Sequence, residues 1–182
     1  MKQKSRFRGL IFCCAFILMS TFAFAQTPRQ SSNPKALKKY NEALVALEDN
    51  RSAEGISLLG NALQIDSNFI DAYLSLAGAL GNTKQYKKAV TVYERARLKD
   101  SIYFTPYLLP YSINLAGLGQ FEEALAAIKK FLTLSDLSGR SIKAAQYRQK
   151  TYAFALSTAQ KNKNTGYVFA PKNLGDSVCL LY

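Results

Sequence analysis

Apolar residues recur along the chain at helical spacing, in pairs of stretches that themselves repeat. Ala53-Glu54-Gly55-Ile56, Lys87-Lys88-Ala89-Val90 and Glu122-Glu123-Ala124-Leu125 follow one another at intervals of 34 and 35 residues. A fixed period of this length marks a repeat architecture, in which each unit is too small to bury its own apolar face. Downstream of each recurrence one face stays apolar, through Leu59 and Ala62, Tyr93 and Ala96, then Ile128 and Phe131. Upstream lies a second amphipathic set in each unit: Tyr40, Ala43, Leu44 and Leu47; Tyr73, Leu76, Ala77 and Leu80; Leu108, Tyr111, Ser112 and Leu115. The spacing predicts helices over 35–48, 52–65, 69–81, 86–99, 106–118, 121–134 and 140–159. Asp49-Asn50, Gly81-Asn82 and Gly119 supply breakers between paired helices. Asp66-Ser67-Asn68 and Ser135-Asp136 offer capping oxygens, and Thr105-Pro106 suits a cap followed by a first-turn proline. Pro110 is expected to kink or delay its helix, at about 3 kcal/mol if it lies in the interior.

This pattern resembles the tetratricopeptide repeat. The second unit matches best, with Tyr73, Leu76, Ala77, Leu80, Tyr86, Ala89, Tyr93 and Ala96 in register and Ser101 in place of the usual proline. The first unit departs, with Gly55 at the small position, Ser52 at the turn aromatic and a turn one residue short. In the third, Ala124 keeps the small position, while Ser112 and Phe131 occupy two others and Pro110 enters the first helix. The expectation is an all-α solenoid of three helical hairpins over 35–136, preceded by a linker over 26–34 and closed by a capping helix within 137–160. Small residues such as Ala77 and Ala89 let paired helices touch. The cap would turn Ile142, Ala145, Tyr152, Ala155 and Leu156 inward, and Lys143, Arg148 and Lys150 to water.

The resemblance implies a groove along the first helices that takes an extended peptide or a helix of a protein partner. By matching position it comprises Asn41, Val45, Leu74, Gly78, Leu109 and Ile113, an apolar set; Glu at Leu74 and Ile113 is expected to abolish binding without unfolding. Family members that clamp a terminal carboxylate use Lys and Asn there, and only Asn41 fits. Tyr103, Tyr107 and Tyr111, spaced by four, read as core in preference to a binding stripe.

Composition narrows the chemistry. The chain has no histidine, so Ser57 or Ser141 lacks an imidazole to activate it, and the adjacent Glu122 and Glu123 point to different parts of a helix surface. An enzyme, a cofactor and a metal are therefore not expected. Of 24 basic residues against 12 acidic, four lie at the very start (Lys2, Lys4, Arg6, Arg8), and the rest scatter among acids. That argues against a nucleic-acid partner and leaves attraction to an anionic partner open.

Those four residues precede an apolar run from Leu10 to about Phe22, then Ala23-Phe24-Ala25. The run suits a secretory signal over 1–25, cleaved after Ala25, with Ala23 and Ala25 in the peptidase pocket. Cys13 and Cys14 leave with it, Leu10-Ile11-Phe12 lacking the small residues of a lipoprotein signal. The expected location is the periplasm, with no transmembrane helix after cleavage. Cys179 then stands alone, so any disulfide would join two chains into a dimer. Residues 161–182 begin as a polar linker, and Pro171, Asn173, Leu174, Gly175 and Val178 resemble a junction in Bacteroidetes-type envelope proteins. There a short tetratricopeptide domain leads into a β-propeller and an OmpA-like, peptidoglycan-binding domain. That resemblance implies an adaptor in the cell envelope, associated with the outer membrane, and a chain cut at the junction. The alternative is a free-standing periplasmic peptide-binding or chaperone-like module whose tail packs on its own repeats.

Overall fold

The structure, a computed structural model, describes residues 31–163. The expected signal segment and the tail with Cys179 lie outside these residues. Seven α-helices and no strand occur among the described residues: α1 (Pro34–Glu48), α2 (Ser52–Ile65), α3 (Ile70–Asn82), α4 (Tyr86–Lys99), α5 (Leu108–Gly117), α6 (Phe121–Phe131) and α7 (Gly139–Lys163). Helices α1 and α2, α3 and α4, and α5 and α6 pack as three hairpins; each hairpin leans on the next, and α7 packs on α6.

The helix starts follow from local chemistry. Asn33 caps α1, its Oδ1 accepting the Lys35 and Ala36 amides at 3.0 and 3.4 Å, with Pro34 in the first turn. Three-residue turns then join the helices of each hairpin, and all three are the same motif. Asn50, Lys84 and Gly119 take positive φ values of 60°, 59° and 77° at the 34- and 35-residue interval. The amides of Arg51, Gln85 and Gln120 donate to the carbonyls of Ala46, Leu80 and Leu115 at 2.8, 2.9 and 3.0 Å, closing a Schellman cap each time. Gly81 is thus no breaker: it lies within α3, where a Cβ would sit 2.7 Å from Asn114 Oδ1.

This repetition corrects the register of the first unit. Its turn is as long as the others, and Ala43, fully buried, stands twelve residues before Gly55 as Ala77 stands before Ala89. A Cβ on Gly55 would meet the Leu47 side chain at 2.6 Å and the Ala43 carbonyl oxygen at 3.3 Å, so the Leu47 side chain packs in the space an alanine methyl would take.

The connections between hairpins also differ from expectation. Asp66 does not cap α3, whose N-cap is the buried Phe69; its Oδ1 accepts the Asn68 amide at 2.9 Å and its other oxygen accepts the Ser31 hydroxyl. Asp100 does similar work, taking the Ile102 and Tyr103 amides at 3.1 and 2.9 Å, and the buried Phe104 lies four residues after it where Phe69 lies three after Asp66. Thr105 is no cap either: its hydroxyl donates to the Ser101 carbonyl, and Thr105–Tyr107 form a single 3-10 turn. That turn delays α5 to Leu108, so Pro110 falls in the first helical turn, where its missing amide has no partner to lose. Ser138 caps α7, accepting the Ser141 amide at 3.1 Å, whereas Ser135 donates to its neighbour Asp136.

Two clusters make the core. Ala36, Ala43, Leu59, Ala62, Phe69 and Ala72 join the first hairpin to the second, and a larger cluster runs from Ile70 to Tyr152 through the second and third. Leu63 packs against both. Ala145 and Tyr152 bury the cap, with Tyr152 packing on Phe121 at a ring separation of 6.2 Å. Its outer side is not wholly polar, since Tyr147 and Phe154 are 69% and 71% exposed beside Lys143 and Lys150.

Candidate functional site

The first helices α1, α3 and α5 carry the six candidate groove residues, which fall into three environments. Leu109 and Ile113, one turn apart on α5, are half-buried, as is Gly78 on α3, whose Cβ position would lie 3.9 Å from the Tyr93 hydroxyl. Leu74 is only 3% exposed and belongs to the core cluster against which Tyr103, Tyr107, Leu109 and Tyr111 pack. It is therefore structural, and a glutamate there would unfold the stack, contrary to the expectation that Leu74 can be altered harmlessly. Asn41 is exposed and Val45 is 54% exposed; both line a shallow depression of about 530 Å³ along α1, beside Leu37 and Lys38.

The corrected register explains the outlying pair. With Ala43 matched to Ala77 and Ser112, the first-unit counterparts of Leu74 and Gly78 are Tyr40 and Leu44, one residue before Asn41 and Val45. Both are half-buried. Tyr40 turns toward the second hairpin, its ring 4.7 Å from that of Phe69 and its hydroxyl 3.3 Å from Ser75 Oγ. The sequence missed them because the apolar pattern of α1 fits two registers. The signal that finds them is the twelve-residue step from the small residue of α1 to Gly55. The one feature favouring a carboxylate clamp, Asn41, drops out with the shift.

Tyrosines fix this face. Tyr103 donates to Asp71 Oδ1 at 2.6 Å, Tyr111 donates to Glu94, and the Tyr103 and Tyr107 rings lie 6.2 Å apart. Burial, reinforced by those carboxylate bonds, pushes the Tyr103 and Tyr111 phenols well above their ordinary value, and burial raises Tyr107 too. They stay neutral donors near pH 7. Tyr93, Phe104 and Tyr111 form a triangle with edge-on ring separations of 5.6 to 6.0 Å, tying α4 to α5.

The repeat residues Tyr73, Leu80, Ala77, Ala89, Tyr93, Ala96 and Ala124 are buried, and Leu76 and Tyr86 are half-buried, the Tyr86 ring filling the space beside Gly117. Glu122, Glu123 and Ser57 are exposed, and Ser141 Oγ pairs with Ser138 Oγ at 2.8 Å. Among the described residues no three histidine, cysteine, aspartate or glutamate side chains gather as metal ligands, and no helix is long and apolar enough to cross a membrane.

Residues 36–101 match the family model described as tetratricopeptide repeat. No curated protein matches the chain in sequence. Solved structures share the fold. The first tetratricopeptide domain of Spaghetti (RPAP3), bound to the HSP90 peptide SRMEEVD, is 18% identical with a TM-score of 0.62, over 71% of this chain and 98% of that one. The Sgt2 domain from Aspergillus fumigatus is also 18% identical, with a TM-score of 0.60 over 82% of this chain and 93% of that one. The translocator chaperone SycD of Yersinia enterocolitica is 16% identical, with a TM-score of 0.56 over 71% and 96%. The chain is thus an all-α solenoid of the tetratricopeptide type.

Proposed function

We propose that this chain is a protein-interaction scaffold of the bacterial envelope that holds an extended segment of a partner protein against its first helices. The carrying observation is the half-buried apolar row of Leu44, Gly78, Leu109 and Ile113 on successive first helices, set in a frame of tyrosines already committed to Asp71 and Glu94. A partner can bury such a row without displacing any of the frame's bonds. The peptide bound to the RPAP3 domain supports the choice of ligand class. The envelope setting is supported by the basic start, the apolar run and Ala23-Phe24-Ala25, together with the likeness around Pro171 to Gly175.

Affinity capture from native envelope fractions tests it, with the wild-type chain beside Leu109→Glu and Ile113→Glu. Both sites are half-exposed, so the variants are expected to keep the helical spectrum and lose the partner. Equal recovery of one partner by all three proteins would refute a groove on this face.

A further inference from the structure

The second helices form a different cleft, with its own chemistry. Between α2 and α4 a depression of about 510 Å³ opens, floored by Ile56, Leu76, Leu80 and Val92. Its rim carries Lys87, Lys88 and Arg95, and no carboxylate lines it. Lys88 Nζ donates to the neutral Gln85 side chain at 3.0 Å, and none of the three joins an ion pair among the described residues. This basic rim is no general habit of the repeat. At the places of Lys87 and Lys88 the first unit has Ala53 and Glu54 and the third has Glu122 and Glu123.

Gly60, on the α2 wall, adds an independent observation. It sits inside a helix, where glycine is less favourable than alanine. A Cβ there would meet nothing within 4 Å, so no contact within the chain calls for the missing side chain. A segment laid along the cleft would occupy that space.

We infer that the α2–α4 cleft docks an acidic segment of a partner protein, two apolar side chains entering over Gly60 and flanking carboxylates meeting Lys87, Lys88 and Arg95. This face is separate from the first-helix row and does not depend on it. Uncompensated cations over an apolar floor select the carboxylate-bearing class, because a basic segment would bring like charges together.

A short fluorescent peptide with two leucines flanked by glutamates tests this by anisotropy against the full chain. Its lysine counterpart and an all-glutamate peptide are the controls. The acidic leucine peptide is expected to saturate, more weakly as salt rises, and the controls are not. Lys87→Glu combined with Lys88→Glu is expected to weaken binding roughly tenfold. Gly60→Leu, which fills the cleft and gains helix propensity, is expected to do the same, and Ile113→Glu to change nothing. Failure of the acidic leucine peptide to bind, equal binding of the all-glutamate peptide, or wild-type affinity in Gly60→Leu would each overturn the assignment. So would a dimer in sedimentation that the double lysine variant dissolves, since the cleft would then belong to a second copy.

Discussion

Truncating Tyr93 to alanine should separate the third hairpin and the cap from the rest of the stack. The side chain is 1% exposed, and its ring meets Phe104 at 6.0 Å and Tyr111 at 5.9 Å, so one residue of α4 holds both the connection and the first helix of the next hairpin. Removing a buried aromatic costs about 3 to 5 kcal/mol. A domain of this size has about 5 to 15 kcal/mol in all, so much of its stability is at stake. The loss should also be uneven. Helices α1 and α2 are anchored through Leu59, Ala62 and Phe69 in the other core cluster, which does not contain Tyr93. In a linear stack each unit contacts only its neighbours, so damage at the second-to-third interface frees α5 to α7 first. Urea unfolding by circular dichroism measures the total, and amide hydrogen exchange locates it. Tyr93→Phe keeps the ring and should lose less than about 1.5 kcal/mol. A loss below about 1.5 kcal/mol for Tyr93→Ala, or equal loss of protection in α1–α2 and α5–α7, would refute the triangle as the joint.

Gly119→Ala should cost about 1 to 2 kcal/mol through its positive φ alone, since a Cβ there meets nothing within 4 Å; thermal melts check it. Gly60→Ala, in open space at an ordinary helical position, should instead gain up to about 1 kcal/mol in the same melts. Burial raises Tyr93 to about 12, which favours the neutral phenol in the folded chain. The tyrosine contribution to stability should thus be flat below pH 10 and fall as pH rises toward 12, with phenolate absorbance showing Tyr93, Tyr103, Tyr107, Tyr111 and Tyr152 titrating late. The envelope setting predicts that mass spectrometry of the protein from its native cell finds Gln26 at the N-terminus; retention of residues 1–25 would remove that support.

The period, the hairpins and nearly every packing position of the second unit are legible in the sequence, because Ala77, Ala89, Tyr93 and Ala96 answer to contacts within one hairpin or with its nearest neighbour. The first-unit register is not. The apolar spacing of α1 fits either alignment, and what decides is the length of the turn and the twelve-residue step from Ala43 to Gly55, which apolar periodicity does not encode. The burial of Leu74 is hidden for a similar reason: it depends on Tyr103 and Tyr107, 29 and 33 residues downstream, in a connection and a 3-10 turn. Asp66 shows a polar residue doing turn work where capping was expected, since Phe69 takes the position before the helix start, and Asp100 does similar turn work one unit later. The basic cleft was visible as Lys87-Lys88 standing where the other repeats place Ala53-Glu54 and Glu122-Glu123, but its apolar floor needed the fold.

The central claim is that partner contact falls on the first-helix row. Placing a photo-activated cross-linking residue at Ile113, and separately at Glu123 on the exposed side of α6, and irradiating the native cells tests it most directly. A first-helix scaffold predicts a discrete adduct from Ile113, mapping to one stretch of one partner, and none of that species from Glu123. An adduct from Glu123 alone, or the same product from both positions, would contradict it.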